Sequence, residues 1–346
     1  MLTKYSQMLC ENKLKCYSIK PFSYFYTMDQ ITQISNEYIE KNTNFPELIS
    51  EIKNHFSSDE VIVPMRHHHD FPNPEVQADS TLLLMPAWNP SKNAGVKIVT
   101  VSPENGQFDL PSIQGTYIYF DAIKGSIKAI LEAKSLTVKR TASASALASS
   151  YLSREDSSSL LMIGTGALSI NLIKAHAAIR PIKEVFIWGR SYEKAIDIAK
   201  QLKDENYSIK AIQTLQEKIS EVDIISCATL AKTPLVLGKD LRTGQHIDLV
   251  GAYKKDMREA DDETISKASV YLDTFQGGLK ESGDIVTPLQ NGTLKEEDIK
   301  ADLFQLCSNQ KTGRNNQEEI TVFKSVGHAL EDLAAANYYY NKFTNE

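Results

Sequence analysis

The 346-residue sequence has few of the features that mark disulfide-rich, zinc-binding, nucleic-acid-binding and membrane-spanning proteins. Its four cysteines form no CxxC pair, and no histidine lies at zinc-ligand spacing from them, which argues against a disulfide scaffold or a zinc site. A net charge of −6 without any basic block argues against a nucleic-acid partner. No apolar run reaches the length of a membrane span or a signal-peptide core. We therefore expect a cytoplasmic protein with reduced thiols and no membrane partner.

Hydrophobic residues make up 42% of the chain and charged residues 24%, and the length suggests about two domains. Residues 31–56 have helical spacing of apolar residues, and short β-rich runs follow up to residue 132, with a hairpin connection at 121–126. This pattern predicts a mostly antiparallel sheet. From Leu136 onward a helix of small residues is predicted to cross into a second domain.

Strand and helix patterns alternate from residue 159 to residue 273. Such alternation is typical of βαβ units and a parallel sheet, so the predicted fold class is α/β. The segment from residue 318 to 343, EEITVFKSVGHALEDLAAANYYYNKF, is predicted to be one amphipathic helix that returns to the first domain.

A glycine turn follows the first strand of the alternating region. The strand LLMI ends in Gly164, Thr165 and Gly166, and Ala167 and Leu168 lead into a helix. Glycines at this place let backbone N–H groups approach a pyrophosphate at a helix N-terminus. The third position of the GxGxxG pattern is Ser169, and turn glycines also occur without a nucleotide. The βαβ setting favours dinucleotide binding.

The second strand of the alternating region ends in Gly189, Arg190 and Ser191. An acidic residue at this place would bind the ribose hydroxyls of NAD, and none is present. A guanidinium can pair with a 2′-phosphate, so the sequence favours NADPH, with NADH also possible. The alternative is that Arg190 is simply a solvated residue at a helix start.

Three consecutive histidines, His67 to His69, suggest a metal site at first sight. Successive side chains of a strand point to opposite faces, and no cysteine or carboxylate cluster completes a ligand set, so we expect no bound metal. One of the three could instead line a pocket beside Arg66.

Six separated motifs resemble the ornithine cyclodeaminase and mu-crystallin family from about residue 60 to the C-terminus. They are VPMRHHH, AGVKIVTVSPEN, LTVKRTASASALAS, IGTGA, HIDLVGA and ITVFKSVGHALEDLAAA. The resemblance implies a Rossmann domain (residues 137–320) inserted into an α+β domain for substrate binding and dimerisation (residues 1–136 and 321–346). It also implies a homodimer.

The resemblance further implies a substrate site. Arg66, Lys97 and Arg140 match cationic residues around the substrate's carboxylate in relatives, and Val326 matches a residue that contacts substrate. Three cations in one cleft would be costly without an anion, which a small amino or imino acid would supply. Taken without the family, Arg66 and Lys97 could be ordinary surface charges.

Further residues match positions along the cofactor in relatives, although packing alone would explain each of them equally well. They are Ser112, Arg140, Thr229, Val250, Gly251, Ala252 and Ser325. The loop from Ser325 to Gly327 resembles one that closes over nicotinamide and substrate.

The chain departs from the ornithine cyclodeaminases at one position. Their catalytic aspartate follows a VGG turn, and the corresponding residue here is Tyr253. A tyrosine with an ordinary pKa of about 10 is a poor base at neutral pH, although Asp256 or Glu259 could reach in through a loop shift. The departure favours the branch that reduces Δ1-pyrroline-2-carboxylate to L-proline and Δ1-piperideine-2-carboxylate to L-pipecolate.

Reduction of such a cyclic imine needs a hydride at C2 and a proton at nitrogen. Lys97, or a water that it orients, is the predicted proton donor, because neighbouring arginines should lower its pKa. Three alternatives stay open: a redox-neutral ornithine cyclodeaminase with bound NAD, an alanine-type dehydrogenase, and an NADPH-dependent ligand-binding protein like mu-crystallin.

Overall fold

The computed structural model describes residues 31–346, and its first sheet contains six strands. They are β1 (Thr32–Ile34), β2 (His67–Asn73), β3 (Ala78–Asn89), β4 (Asn93–Val101), β5 (Ile113–Asp121) and β6 (Ile127–Glu132). The order across the sheet is β1-β6-β5-β4-β3-β2, and all neighbouring pairs except β1 with β6 are antiparallel. The predicted mostly antiparallel sheet and its hairpin at 121–126 are confirmed.

Two helices, α1 (Asn36–Asn42) and α2 (Phe45–Phe56), lie between β1 and β2. The side chain of Asn44 caps α2 by accepting from the backbone N–H of Glu47 at 3.2 Å. The same helix buries Leu48, Ile52 and Phe56 on its apolar face. The helix predicted for residues 31–56 is therefore confirmed for most of this range, but the first residues of the range form β1.

Helix α3 (Ala133–Leu152) leads from the first sheet into the second. Its side chains from Thr141 to Ser149 are nearly all alanine and serine, and they are buried. Small side chains let α2 and the other neighbouring helices pack closely on several sides of α3 at once. The predicted crossing helix is confirmed, and the predicted domain boundary after residue 136 falls inside it.

The second sheet has eight strands. They are β7 (Ser159–Ile163), β8 (Glu184–Trp188), β9 (Ser208–Ala211), β10 (Ile224–Cys227), β11 (His246–Leu249), β12 (Ser269–Leu272), β13 (Ala301–Asp302) and β14 (Thr321–Lys324). All neighbouring pairs are parallel, in the order β13-β12-β14-β11-β10-β7-β8-β9. The α/β prediction is confirmed. The strand order reverses between β7 and β10, which makes the carboxyl ends of these strands the expected place for a ligand.

Helices connect the parallel strands. They are α4 (Ser169–Ile179), α5 (Tyr192–Gln201), α6 (Asp262–Lys267), α7 (Phe275–Gly278), α8 (Gly283–Asn291) and α9 (Leu303–Cys307). Within residues 31–346, no helix is both long and apolar enough to span a bilayer.

The C-terminal segment differs from its prediction. Thr321–Lys324 is not helical but forms β14 between β11 and β12, and α10 covers only Ala329–Thr344. All four residues of β14 are buried, and a short buried run has no periodicity that separates strand from helix. The segment that was assigned to the substrate domain therefore begins in the parallel sheet.

Helix α10 packs against the first sheet, as expected. The side chain of Asn337 accepts from the hydroxyl of Tyr119 at 2.7 Å and from the amide of Asn93 at 3.0 Å. The hydroxyl groups of Tyr339 and Thr43 lie 2.8 Å apart. Helix α10 thus packs against elements from the start of the described residues. The loop 325–328, which directly precedes α10, therefore lies where the two sheets meet.

Candidate active site

The glycine turn lies at the carboxyl end of β7. Gly164 has a φ of +121°, and a Cβ on it would lie 2.5 Å from the carbonyl oxygen of Ala228, so a side chain is excluded there. A Cβ on Gly166 would contact nothing within 4 Å, and Gly166 and Ala167 are exposed. Open backbone at the start of α4 fits a pyrophosphate group.

Ser169 replaces the third glycine of the pattern without opening the turn. Its side chain is buried, and its Oγ donates to the carbonyl oxygen of Gly164 at 2.9 Å. The hydroxyl therefore ties the first turn of α4 to the end of β7, and a small side chain suffices for close packing.

The end of β8 lies beside this turn. A Cβ on Gly189 would lie 2.6 Å from the side chain of Thr165, so the glycine allows the two loops to approach closely. Ser191 caps α5 by accepting from the backbone N–H of Lys194, and Arg190 is exposed. Arg190 forms no ion pair with any residue between 31 and 346.

The turns after β10 and β11 meet at a buried carboxylate. Glu259 accepts from the backbone N–H groups of Thr229 and Gly251 at 2.7 Å each, and from that of Ala252 at 3.0 Å. A Cβ on Gly251 would lie 2.0 Å from the carbonyl oxygen of Thr229. Glu259 thus fixes the relative position of two turns that were predicted to line the cofactor.

The same contacts bear on whether Asp256 or Glu259 could act as the missing catalytic base. Both oxygens of Glu259 are occupied by backbone donors, and its side chain is completely buried. Asp256 pairs with Lys232 at 2.8 Å, and both side chains are exposed. Neither carboxylate replaces the missing aspartate, and Tyr253 is itself 41% exposed beside Lys254.

A second buried carboxylate shapes the loop after β14. Asp273 accepts from the backbone N–H groups of Val326 at 2.7 Å and Gly327 at 2.8 Å, and from the hydroxyl of Ser325 at 3.2 Å. Gly327 has a φ of +82°, and a Cβ there would lie 2.9 Å from Nη1 of Arg140. This loop therefore lies directly against one of the predicted substrate-binding cations.

The three predicted cations do come together, around Gly327 and the start of α10. Nη2 of Arg66 donates to the carbonyl oxygen of Gly327 at 2.6 Å and lies 3.4 Å from Glu281. A carboxylate of Asp332 lies 2.9 Å from Nζ of Lys97 and 2.9 Å from Nε of Arg140.

Protein carboxylates neutralise these cations, which corrects one sequence argument. Arg140 also pairs with Glu331 at 2.5 Å, and the Glu331 and Asp332 side chains have no exposed area. The cations therefore do not require a bound anion for compensation. The free hydrogen-bonding capacity lies at Arg66, whose hydrogen bonds within residues 31–346 all involve Nη2, so N–H groups of Nε and Nη1 remain available to a bound carboxylate.

Burial shifts the pKa values of this cluster. Burial lowers the pKa of Lys97 to about 8, and Arg140 lowers it further while Asp332 opposes the change. The predicted direction is confirmed, although burial rather than the arginines is the main cause. Burial also raises the pKa of Glu331 to about 7 against the influence of Arg140. Lys97 and Glu331 can therefore both exchange protons near neutral pH.

A small cleft opens beside the cluster, and we call it the substrate cleft. Its lining residues are Val63, Pro64, Met65, Arg66, Met85, Thr274, Gln276, Gly277, Glu281, Gly327, His328 and Ala329. Burial lowers the pKa of His328 to about 4, so this side chain is neutral at physiological pH.

Arg66 is the predicted substrate residue in this lining, and Ser112 and the three histidines lie elsewhere on the first sheet and its connections. Ser112 is exposed, and its described contacts are with Ser102 and Pro103. His67 to His69 are exposed on β2, the edge strand of the first sheet. Residues 31–346 contain no group of three or more histidine, cysteine or acidic side chains that could hold a metal.

Two of the four cysteines lie among the described residues. Cys227 and Cys307 are buried and unpaired. Cys10 and Cys16 lie outside the described residues, as do all of the first 28 residues, for which no role was predicted.

Sequence reasoning missed the acidic partners of the site, Asp273, Glu281, Glu331 and Asp332. One signal was present in the motif ALEDLAAA, in which two adjacent acids stand among alanines and leucines. If such a helix is buried, its acids need hydrogen-bonded or oppositely charged partners. The partners themselves come from β4 and α3, far away in the chain.

Known proteins share this arrangement of two sheets. The family described as "Ornithine cyclodeaminase/mu-crystallin family" matches residues 30–346. The chain belongs to this family. The resemblance is confirmed, and it begins at residue 30 rather than near residue 60.

Individual relatives include reductases. The chain is 35% identical over 318 residues to Δ1-pyrroline-2-carboxylate reductase of Colwellia psychrerythraea, covering 90% of this chain and 99% of the relative. The solved Δ1-pyrroline-2-carboxylate reductase of Thermococcus litoralis, in complex with NADH and L-proline, is 32% identical with a TM-score of 0.84, covering 91% and 98% of the two chains. An archaeal alanine dehydrogenase dimer with bound NAD is 26% identical with a TM-score of 0.83, covering 91% and 96%.

Proposed function

We propose that the protein is an NAD(P)H-dependent reductase that converts Δ1-pyrroline-2-carboxylate to L-proline and Δ1-piperideine-2-carboxylate to L-pipecolate. One observation carries the proposal: Arg66 lines a cleft together with Met85, and Met85 pairs with Lys97, whose pKa burial lowers to about 8. In sequence, Tyr253 stands where the cyclodeaminases have a catalytic aspartate. Hydride and proton transfer to a C=N bond need these groups and no carboxylate base. Relatives named as Δ1-pyrroline-2-carboxylate reductases at 32 to 35% identity support it.

The residues of the glycine turns fit a dinucleotide. Gly164, Thr165, Gly166, Ala167 and Leu168 offer open backbone for the pyrophosphate. Four predicted nicotinamide-lining residues donate to the Glu259 or Asp273 carboxylate, and Val250 directly precedes one of them; the four are Thr229, Gly251, Ala252 and Ser325. When bound, the reduced nicotinamide supplies the hydride. The assignment of Ser112 to the cofactor site stays a prediction.

Arg66 has the leading role in substrate binding. Its free N–H groups donate to the substrate's carboxylate, and Arg140, which lies against Gly327, adds a second positive charge. Val326 belongs to the loop that Asp273 holds, directly before Gly327. Binding the carboxylate in one place orients C2 of the imine for hydride attack. The entropy lost in orienting the substrate is then lost on binding and not in the chemical step.

Lys97 protonates the imine nitrogen, directly or through a water. A pKa of about 8 leaves the lysine mostly charged at neutral pH and able to release its proton. The reaction adds a hydride to C2 and a proton to nitrogen, and it gives a secondary amine and a neutral lysine. Solvent then returns the proton to Lys97.

NADPH is the proposed cofactor of preference, with NADH also accepted. Arg190 is exposed at the end of β8 without an ionic partner among residues 31–346, and Ser191 lies beside it. Both can contact a 2′-phosphate, whereas no carboxylate follows β8 to select a free ribose hydroxyl. The T. litoralis relative was solved with NADH, which supports acceptance of NADH.

A homodimer is the proposed assembly, formed through the first sheet and its connections. Several large apolar side chains in this part of the chain are exposed, among them Met65, Phe71, Phe108, Leu110 and Ile113. Burial of such exposed apolar side chains would favour association. Light scattering of the purified protein tests this, with a mass near 77 kDa expected for twice the 38.7 kDa chain.

The activity is tested by following reduced nicotinamide absorbance. Protein is mixed with NADPH or NADH and Δ1-pyrroline-2-carboxylate, and parallel samples contain pyruvate with ammonia, or ornithine with NAD. We expect rapid oxidation with the imine, and a large increase in KM in Arg66→Ala with little change in Asp70→Ala, an exposed residue on β2. The alanine dehydrogenase relative makes pyruvate with ammonia the second candidate.

Each alternative has its own result. Ammonia release from ornithine without net nicotinamide change would overturn the proposal in favour of a cyclodeaminase. NADPH binding without turnover in any sample would favour a ligand-binding protein like mu-crystallin. Faster turnover of pyruvate with ammonia than of the cyclic imine would favour an amino-acid dehydrogenase.

A further inference from the structure

The substrate cleft has a neighbour with which it shares a wall. A second cleft of about 200 Å³ is lined by Val61, Val63, Thr274, Phe275, Gln276, Asp302, Phe304 and His328. Four residues line both clefts and so form the wall between them: Val63, Thr274, Gln276 and His328. The far side of this wall carries three apolar side chains, Val61, Phe275 and Phe304, together with the carboxylate of Asp302.

The imidazole of His328 is the rigid part of this wall. Its ring centroid lies 6.4 Å from that of Phe56 in a stacked arrangement and 5.8 Å from that of Phe304 in an edge arrangement. The rings of Phe56 and Phe304 are themselves 4.9 Å apart. Three aromatic rings that contact each other in this way hold the imidazole in one position.

His328 is also next to the point at which the substrate's carboxylate would bind. Arg66 donates to the carbonyl oxygen of Gly327, the residue directly before His328. A substrate whose carboxylate is bound by Arg66 therefore lies close to the imidazole, because Arg66 and His328 line the same cleft. The ring is uncharged at neutral pH, because burial and the charge of Arg66 keep its pKa low, so it acts on the substrate by shape rather than by charge.

We infer that His328 limits the size of the substrate's ring by closing the substrate cleft off from the second cleft. This inference rests on the proposed function, since it assumes a cyclic 2-imino acid bound through Arg66. Removing the imidazole would join the two clefts and give additional ring carbons room beside the apolar side chains of Val61, Phe275 and Phe304. One methylene group in an apolar pocket changes kcat/KM by about tenfold or more.

The test compares five- and six-membered rings. In His328→Ala, we expect the ratio of kcat/KM for Δ1-piperideine-2-carboxylate to that for Δ1-pyrroline-2-carboxylate to rise about tenfold. His328→Phe keeps an aromatic wall and should keep the ratio of the unmodified protein. Val61→Ala is the matched control, because Val61 lines only the second cleft, so that its truncation enlarges that cleft without joining it to the first.

Two results would overturn the inference. One is an equal change of both kcat/KM values in His328→Ala; the other is the same shift of the ratio in Val61→Ala. Binding of L-proline and L-pipecolate to the NADPH-loaded protein, measured by thermal shift, gives a second readout that needs no turnover. Failure of the proposed function appears as absent imine reduction in the unmodified protein, whereas failure of the inference appears as an unchanged ring preference in both assays.

Discussion

Nζ of Lys97 lies 2.9 Å from the carboxylate of Asp332, and both side chains are buried. The same carboxylate lies 2.9 Å from Nε of Arg140. One residue of α10 therefore fixes a cation from β4 and a cation from α3 in a common position. The proton affinity of the proposed donor depends on this contact, because Asp332 stabilises the charged form of Lys97.

Replacing Asp332 should change the pH dependence of the reaction. Asp332→Asn removes the negative charge that raises the pKa of Lys97, so this pKa should fall below its present value of about 8. The alkaline decline of kcat should then begin at lower pH, as measured between pH 6 and 10. Glu331→Gln, which contacts Arg140 and not Lys97, should leave this decline in place. An unshifted decline in Asp332→Asn would mean that Lys97 is not the titrating donor.

Glu331 should make stability depend on pH. Burial raises its pKa from an ordinary 4.5 to about 7, so the folded protein holds this proton more tightly than the unfolded chain does. The stabilisation is present at pH 4.5 and is lost as the pH rises through 7. We expect Tm to fall less between pH 5 and 8 in Glu331→Gln than in the unmodified protein. Equal slopes in both proteins would contradict the raised pKa.

Glu259 should be required for stability and cofactor affinity. Glu259→Gln places an amide NH2 against backbone N–H donors of Thr229, Gly251 or Ala252, and should destabilise the fold by about 2 kcal/mol or more. NADPH should bind more weakly as the two turns separate. Urea unfolding and fluorescence titration measure the two effects. Asp256→Asn is the exposed control, and a similar loss there would contradict the special role of Glu259.

Two glycines of the same turn should behave differently. Gly164→Ala is strained by its φ of +121° and by contact with Ala228, so it should lower both Tm and NADPH affinity. Gly166→Ala has open space around the new Cβ and should keep Tm while weakening NADPH binding. Unchanged NADPH affinity in Gly166→Ala would place the pyrophosphate elsewhere.

Arg190 should control cofactor choice. Arg190→Ser removes the proposed partner of the 2′-phosphate, and a charge-assisted contact of about 1.5–3 kcal/mol corresponds to roughly 10- to 100-fold weaker NADPH binding. NADH affinity should stay the same. Lys203→Ala, an exposed cation beyond the end of α5, serves as the control. Parallel loss of both cofactors in Arg190→Ser would exclude a phosphate-specific role.

Much of the fold could be read from local patterns. The alternation of strands and helices after residue 159, the hairpin at 121–126 and the glycine turn at 164–166 depend on neighbouring residues, and the structure has them where they were predicted. The strand Thr321–Lys324 could not be recognised in this way, because a fully buried run shows no alternation.

The sequence by itself determined the fold class, the place of the glycine turn after β7 and the identity of the three cations that meet near the start of α10. Only the tertiary structure decided what these cations contact, because Lys97, Arg140 and Asp332 lie 43 to 235 positions apart in the chain and meet through packing of α10 against α3 and β4. It also decided that Glu259 is a buried clamp rather than a base. Burial and hydrogen-bond partners fix the chemistry of a carboxylate, and neither can be read from its neighbours in sequence.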